Sequence, residues 1–293
     1  MYSVSFFFIL LFCPILSFLT SLTLFQSFQK YNISVAPQVL IWGEETLNDG
    51  IDIQPEEFYA RIKTAKVMPT TSQVSIVTMQ NIFNDLLEKG FDVLGIFISS
   101  KLSGTMQSAM QAREALVRGR EKVHILDSNS TAMAMGFQVL SAARAAADGA
   151  SAGEVKAIAE KARDHTGVYF AVDTLEFLHR GGRIGGAQRL LGTALNMKPV
   201  LAVIDGRVDA IERIRTKSKA IDRVIELVTE KTRGQSPVRL ATLHANAPQE
   251  ARALLERATK AMNAAESIFT EVSPVIGNHA GPGTVGLAYM AGM

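Results

Sequence analysis

Small hydroxyl side chains recur in clusters along the chain. Residues 69–73 (PTTSQ), 99–105 (SSKLSGT) and 127–131 (DSNST) are the clearest, and the last two follow the apolar runs 93–98 (VLGIFI) and 123–126 (VHIL). Each hydroxyl can donate one hydrogen bond and accept others, so converging clusters could hold an anionic or strongly polar group. Capping of the helices that follow would use the same residue types. A second kind of chemistry is offered by residues 180–186 (RGGRIGG), where Arg180 and Arg183 stand among four glycines. Guanidinium groups on a backbone without bulk suit an anion or a charged partner; a solvated turn would look the same. His279 lies in residues 277–283 (GNHAGPG), where it is either a site group or a satisfied turn histidine.

Several catalytic signatures fail on inspection. Residues 281–286 fit GxGxxG, but the chain ends seven residues later, without room for the helix, second strand and ribose acid of a dinucleotide site. There is no GxxxxGK[ST] phosphate loop and no serine in a GxSxG elbow. His124, His165, His179, His244 and His279 are scattered without HxxxH spacing, and Cys13 is the lone cysteine, so neither a metal cluster nor an intrachain disulfide is expected.

The elements that must position these residues alternate between strand and helix. Residues 93–98 read as a strand buried on both faces, followed by a polar turn and a helix over 106–116. In open α/β sheets such turns lie at the carboxyl ends of the strands, where ligands bind. Upstream, 33–42 (ISVAPQVLIW) reads as one strand, 43–50 as a polar turn, Pro55 as a helix start and 68–73 as a loop. Downstream, 137–147 and 152–164 read as Ala-rich amphipathic helices. Val168 to Val172 opens a second unit, in which 199–204 and 207–214 form a hairpin around Asp205-Gly206. A helix over 220–231, a strand over 238–244 and a helix over 248–264 follow.

Composition narrows the class. The 293 residues are 47% hydrophobic and 20% charged, which suits one large or two ordinary globular domains. A net charge of +2 without a basic stripe gives no reason to expect nucleic acid. Residues 1–29 carry no charge, and 6–25 (FFFILLFCPILSFLTSLTLF) are nearly continuous hydrophobe, close to the roughly 20 residues that span a bilayer.

Taken in order, the PTTSQ cluster, ISSKLSGT (98–105), DTLEFLHRGGRI (173–184), NMKPVL (196–201) and GNHAGPG resemble the DegV family. NDGIDI (48–53) and the Asp127-Ser128 strand end fit it too, and the match runs from Tyr31 to the C-terminus. The resemblance implies two α/β domains, the first with a mainly parallel sheet, and a ligand tunnel between them. The expected division is an atypical hydrophobic leader over 1–30, an N-terminal domain over 31–165 and a C-terminal domain over 166–293. It further implies a cytoplasmic, non-enzymatic carrier of a long-chain fatty acid, with no other cofactor. The carrier would present the acyl carboxylate to a separate kinase of the dihydroxyacetone-kinase type, for acyl phosphate and phospholipid synthesis; transient membrane contact is compatible with that role. By residue, it places head-group recognition on Thr71 and Ser103, His279 beside them, and Arg180 or Arg183 at the tunnel entrance.

The chain departs from the family at its start. Members open with a short strand ending in Thr-Asp-Ser, whereas residues 16–19 here are LSFL and no Asp precedes Asp49. The sheet would lack its first strand unless a segment such as 9–16 substitutes. The leader is expected to be a start or reading-frame artefact; a membrane tether is the alternative. A second functional class also remains open, an enzyme acting on an acyl or phospho substrate with Ser103 as nucleophile and His279 as base.

Overall fold

A computed structural model describes residues 7–12, 30–31, 33–192 and 197–293. Within these, a parallel sheet is built from β1 (Phe7–Phe12), β2 (Ile33–Val35), β6 (Asp92–Phe97) and β7 (Val123–Asp127), in the order β2-β1-β6-β7. The apolar segment Phe7–Phe12 thus occupies the inner position of the missing first strand, with Ile9 opposite both Ile33 and Leu94. Most of the hydrophobic leader, residues 1–6 and 13–29, lies outside the described residues, and so do the artefact expected there and the tether that was its alternative. Among the described residues no helix is long and apolar enough to cross a membrane.

The expected strand over 33–42 is two strands in different sheets. β2 ends at Val35, and β3 (Val39–Trp42) resumes after Ala36-Pro37-Gln38. Pro37 has no N–H for a ladder, so the chain leaves one sheet there and enters another. β3 pairs antiparallel with β4 (Glu45–Asn48) and with β5 (Thr70–Ser72). The polar turn and the loop expected at 43–50 and 68–73 therefore each contain a strand. Both are short and rich in polar residues, so their apolar periodicity is too weak to read.

Helices follow the sequence more closely. α1 (Pro55–Ile62) starts on its proline, and α2 (Ile76–Glu88) and α3 (Thr105–Glu114) cover one face of the parallel sheet through Met79, Phe83, Ala109 and Ala112. α4 (Ala132–Ala147) and α5 (Ala152–Asp164) lie on its other face. α4 was expected to be amphipathic from 137 onward; it is partly exposed at Ser141 and from Arg144 to Ala147, but every residue from Ala132 to Leu140 is buried. It is enclosed because a second sheet packs on its far side.

That sheet has the order β10-β9-β8-β13-β11-β12: β8 (Thr166–Ala171), β9 (Lys198–Ile204), β10 (Arg207–Ile214), β11 (Val238–His244), β12 (Glu266–Ile268) and β13 (Val285–Ala291). All of its pairs are antiparallel except β11–β12. Along β8 the side chains alternate: Val168 and Phe170 join the core around α4, while Tyr169 and Ala171 join the core under α7 (Lys217–Thr232) and α8 (Pro248–Met262). The layers run α2/α3, parallel sheet, α4, antiparallel sheet, α7/α8. Two short helices, α6 (Glu176–Arg180) and α9 (Pro274–Ala280), carry motif residues to the junction between the halves.

Candidate functional site

At that junction lies a cavity of about 240 Å³, with walls from both halves. It is just below the roughly 300–1,000 Å³ usual for small-molecule sites. Ile98, Leu102, Val168, Phe170, Val203 and Leu243 supply apolar wall, and Thr71, Ser103, Arg183 and His279 line it as well. Four of the five residues singled out from the sequence therefore meet there. Arg180 does not line the cavity; it is exposed, and its guanidinium lies over the Phe177 ring, 4.8 Å from the centroid.

Thr71 is on β5, opposite Leu40 of β3. His279 comes from the other half, on α9, and its Nε2 is 2.8 Å from Thr71 Oγ1. The approach of α9 is fixed by the buried Asp49, which follows β4. Its carboxylate accepts from Ser273 Oγ at 2.6 Å and from Val275 N at 3.3 Å. Burial pushes Asp49 up to about 7, against the pull of these two bonds. Burial also lowers His279 to about 4, helped by the nearby charges of Arg183 and Arg180. The imidazole is thus neutral around pH 7, with one N–H to give. When Nε2 carries that hydrogen, it donates to Thr71 Oγ1, and the Thr71 hydroxyl proton is left for the cavity.

A similar chain ends at Ser103. Gln38, in the break between β2 and β3, donates from Nε2 to Thr105 Oγ1 at 3.3 Å. Thr105 Oγ1 is 2.9 Å from Ser103 Oγ, and Thr105 N donates to the same oxygen at 3.3 Å. When the Thr105 hydroxyl donates to Ser103 Oγ, the Ser103 proton is left for the cavity. Two hydroxyls, one on β5 and one in the turn after β6, are in this way available as donors to the cavity. Ser103 and His279 are not bonded to each other: a threonine occupies each side of the contact that a nucleophile–base pair would need.

Arg183 joins the halves. The chain reverses at Gly182 (φ +70), and Arg183 reaches back to donate from Nε to Leu102 O at 3.0 Å and from Nη1 to Gly181 O at 2.7 Å. It is half-buried, which is not the solvated turn cation that the motif left open as an alternative. The hairpin between β9 and β10 docks on the same loop. Asp205 and Gly206 both have positive φ, as a type I′ turn requires. Ser99 Oγ donates to Gly206 O at 2.8 Å and Lys101 Nζ to Asp205 O at 2.7 Å.

Sequence reasoning missed Gln38, Gln73 and Thr105. Gln73 lines the cavity and donates to Ser108 Oγ at 2.9 Å. Gln38 was hidden inside an apparent single strand, and its proline neighbour was the available signal. Thr105 stood in the motif but had no reason to be separated from a helix start. Among the described residues no group of three or more His, Cys, Asp or Glu is placed to hold a metal ion.

Comparison with known proteins agrees with this architecture. Residues 20–292 match the family model described as "Uncharacterised protein, DegV family". A DegV domain-containing protein of Clostridium acetobutylicum is 37% identical over 262 residues, covering 89% of this chain and 91% of its own. A DegV family protein from Thermus thermophilus, whose structure is described as fatty acid binding, superposes with a TM-score of 0.88 at 32% identity, over 97% of this chain and 99% of the other. DegV of Bacillus subtilis, described as a fatty acid binding protein, superposes with a TM-score of 0.86 at 29% identity, over 99% and 100% of the two chains.

Proposed function

Because the chain belongs to the DegV family, we propose that it is a non-enzymatic carrier that binds a long-chain fatty acid in this cavity. The observation that carries the reading is the pair of donor chains, His279–Thr71 and Gln38–Thr105–Ser103, ending at an otherwise mostly apolar chamber. A carboxylate taken out of water needs such donors, since an unpaired buried charge is very costly. The acyl tail gains about 0.8 kcal/mol for each methylene removed from water. Neutral His279, in the tautomer with its hydrogen on Nε2, supports the carboxylate by donating to Thr71 Oγ1.

A carrier that holds the carboxylate between its halves serves a partner that modifies that carboxylate. The partner in this reading is a separate kinase of the dihydroxyacetone-kinase type, which makes an acyl phosphate for phospholipid synthesis. Transient membrane contact would load the acid, and the cytoplasm is the compartment that suits the exchange. The two threonine contacts of His279 and Ser103 weigh against the alternative enzyme with Ser103 as nucleophile.

The test is denaturing mass spectrometry of co-purified lipid, followed by incubation with ATP with and without a kinase of that type. A long-chain fatty acid is expected on the protein, and acyl phosphate only when kinase is added. Turnover of an acyl ester or phosphoester by the protein alone would contradict the carrier reading.

A further inference from the structure

Two glutamines stand side by side at one end of the three-stranded sheet. In the β3–β5 ladder Val39 pairs with Ser72, so Gln38 and Gln73 are the next residues out along the two strands. Both reach the same helix. Gln38 Nε2 donates to Thr105 Oγ1 at 3.3 Å, and Gln73 Nε2 donates to Ser108 Oγ at 2.9 Å. Thr105 and Ser108 are buried and three residues apart on α3, so they share one face of it. The Gln73 carboxamide passes over Gly104, where any Cβ would collide with its Oε1 and Cδ. The clasp therefore closes only over a residue without a side chain.

This clasp joins the two segments that carry the hydroxyl donors. Thr71 lies two residues before Gln73, and Ser103 lies two residues before Thr105, whose Oγ1 is 2.9 Å from Ser103 Oγ. Gln38, Gln73 and Gly104 line the same cavity as both donors. The spacing between the hydroxyls is thus inherited from how the sheet end sits on α3. A carboxylate has two oxygens at a fixed separation, and two hydroxyls serve both only when their own separation matches. An alcohol presents a single oxygen, which either hydroxyl can serve. Sliding one loop against the other costs a carboxylate one of its bonds and leaves an alcohol nearly untouched.

We infer that Gln73, with Gln38 beside it, is a positioning residue that makes the cavity selective for a free carboxylate over uncharged lipid head groups. This rests on the fatty-acid reading above and deepens it: Thr71 and Ser103 hold the carboxylate, and the clasp sets the distance between them. Gln73 is the member to probe, because it is exposed and its side chain makes one hydrogen bond among the described residues, whereas Gln38 is buried.

The test is titration of the wild type, Gln73→Met, Ser108→Ala and their double variant with palmitate and with hexadecanol. Methionine keeps the length of the glutamine and removes its amide. Palmitate affinity is expected to fall about tenfold in each single variant, the factor for one lost hydrogen bond to a charged group, while hexadecanol affinity stays within about twofold. The double variant should lose no more than either single one, because the two residues share one bond. Gly104→Ala, which pushes the Gln73 carboxamide off α3, should show the same selective loss. Unchanged palmitate affinity in Gln73→Met would overturn the inference. Palmitate and hexadecanol weakening together would overturn it as well, by making the clasp a general support of the fold, and so would losses that add in the double variant. A wild type that binds no palmitate would overturn the fatty-acid reading itself, and this inference with it.

Discussion

Arg183 and Arg180 share one turn and serve different ends. Arg183 is half-buried and spans from the RGGR turn to the carbonyl of Leu102, next to Ser103. Removing its side chain leaves the Leu102 and Gly181 carbonyls without their donor and frees the loop that orients Ser103. Arg180 is exposed and touches only the half-buried Phe177 ring among the contacts described. Arg183→Ala is expected to lower stability by roughly 1–3 kcal/mol and to weaken palmitate binding about tenfold. Arg180→Ala should stay within about 0.5 kcal/mol of the wild type. Urea midpoints and palmitate titrations of the two variants check this, and equal effects would refute the distinction. The motif was legible in the sequence, but the choice between its arginines was not. That choice is made by the left-handed Gly182, after which Arg183 turns back to the Leu102 and Gly181 carbonyls.

At the scale of elements, the site depends on how closely α6 and α9 approach. A Cβ built on Gly181 would stand 2.1 Å from His279 Nδ1 and 3.2 Å from Phe177 O, so no larger residue fits without moving the imidazole. Gly181→Ala should therefore pull His279 from Thr71 and weaken fatty-acid binding about tenfold, near the value of one lost hydrogen bond. Gly182→Ala meets no atom within 4 Å and strains only the backbone, so it should lower stability more than affinity. Titration of both variants, with thermal melts, separates the two effects; unchanged affinity in Gly181→Ala would show that His279 is dispensable.

Elements with a strong apolar signal were readable in advance: β6, β7, α5, and the β9–β10 hairpin with its Asp-Gly turn. β4 and β5 were not, because pairing with β3 holds them and none of their side chains is buried. The enclosure of α4 was also hidden. Its run of Ala, Met and Gly suits an exposed helix or a buried one, and only the second sheet decides between them.

For the whole molecule, the site exists because the halves share one core around α4, and its parts come from separate sheets. Thr71 belongs to the three-stranded sheet, and Ser103 follows the parallel sheet. His279 and Arg183 arrive from the half built on the antiparallel sheet. The PTTSQ and LSGT clusters were visible as candidates, but their convergence depends on this assembly and cannot be read from spacing along the chain. If both hydroxyls hold one carboxylate, their energies must be coupled despite the sequence distance between them. A hydrogen bond to a charged acceptor contributes roughly 1.5–3 kcal/mol, so Thr71→Val and Ser103→Ala should each weaken palmitate binding about ten- to a hundredfold. The most direct measurement is palmitate affinity for the wild type, the two single variants and the double variant. The account predicts a loss in each single variant and a double-variant loss smaller than the sum of the two; equal affinity in all four proteins would contradict it.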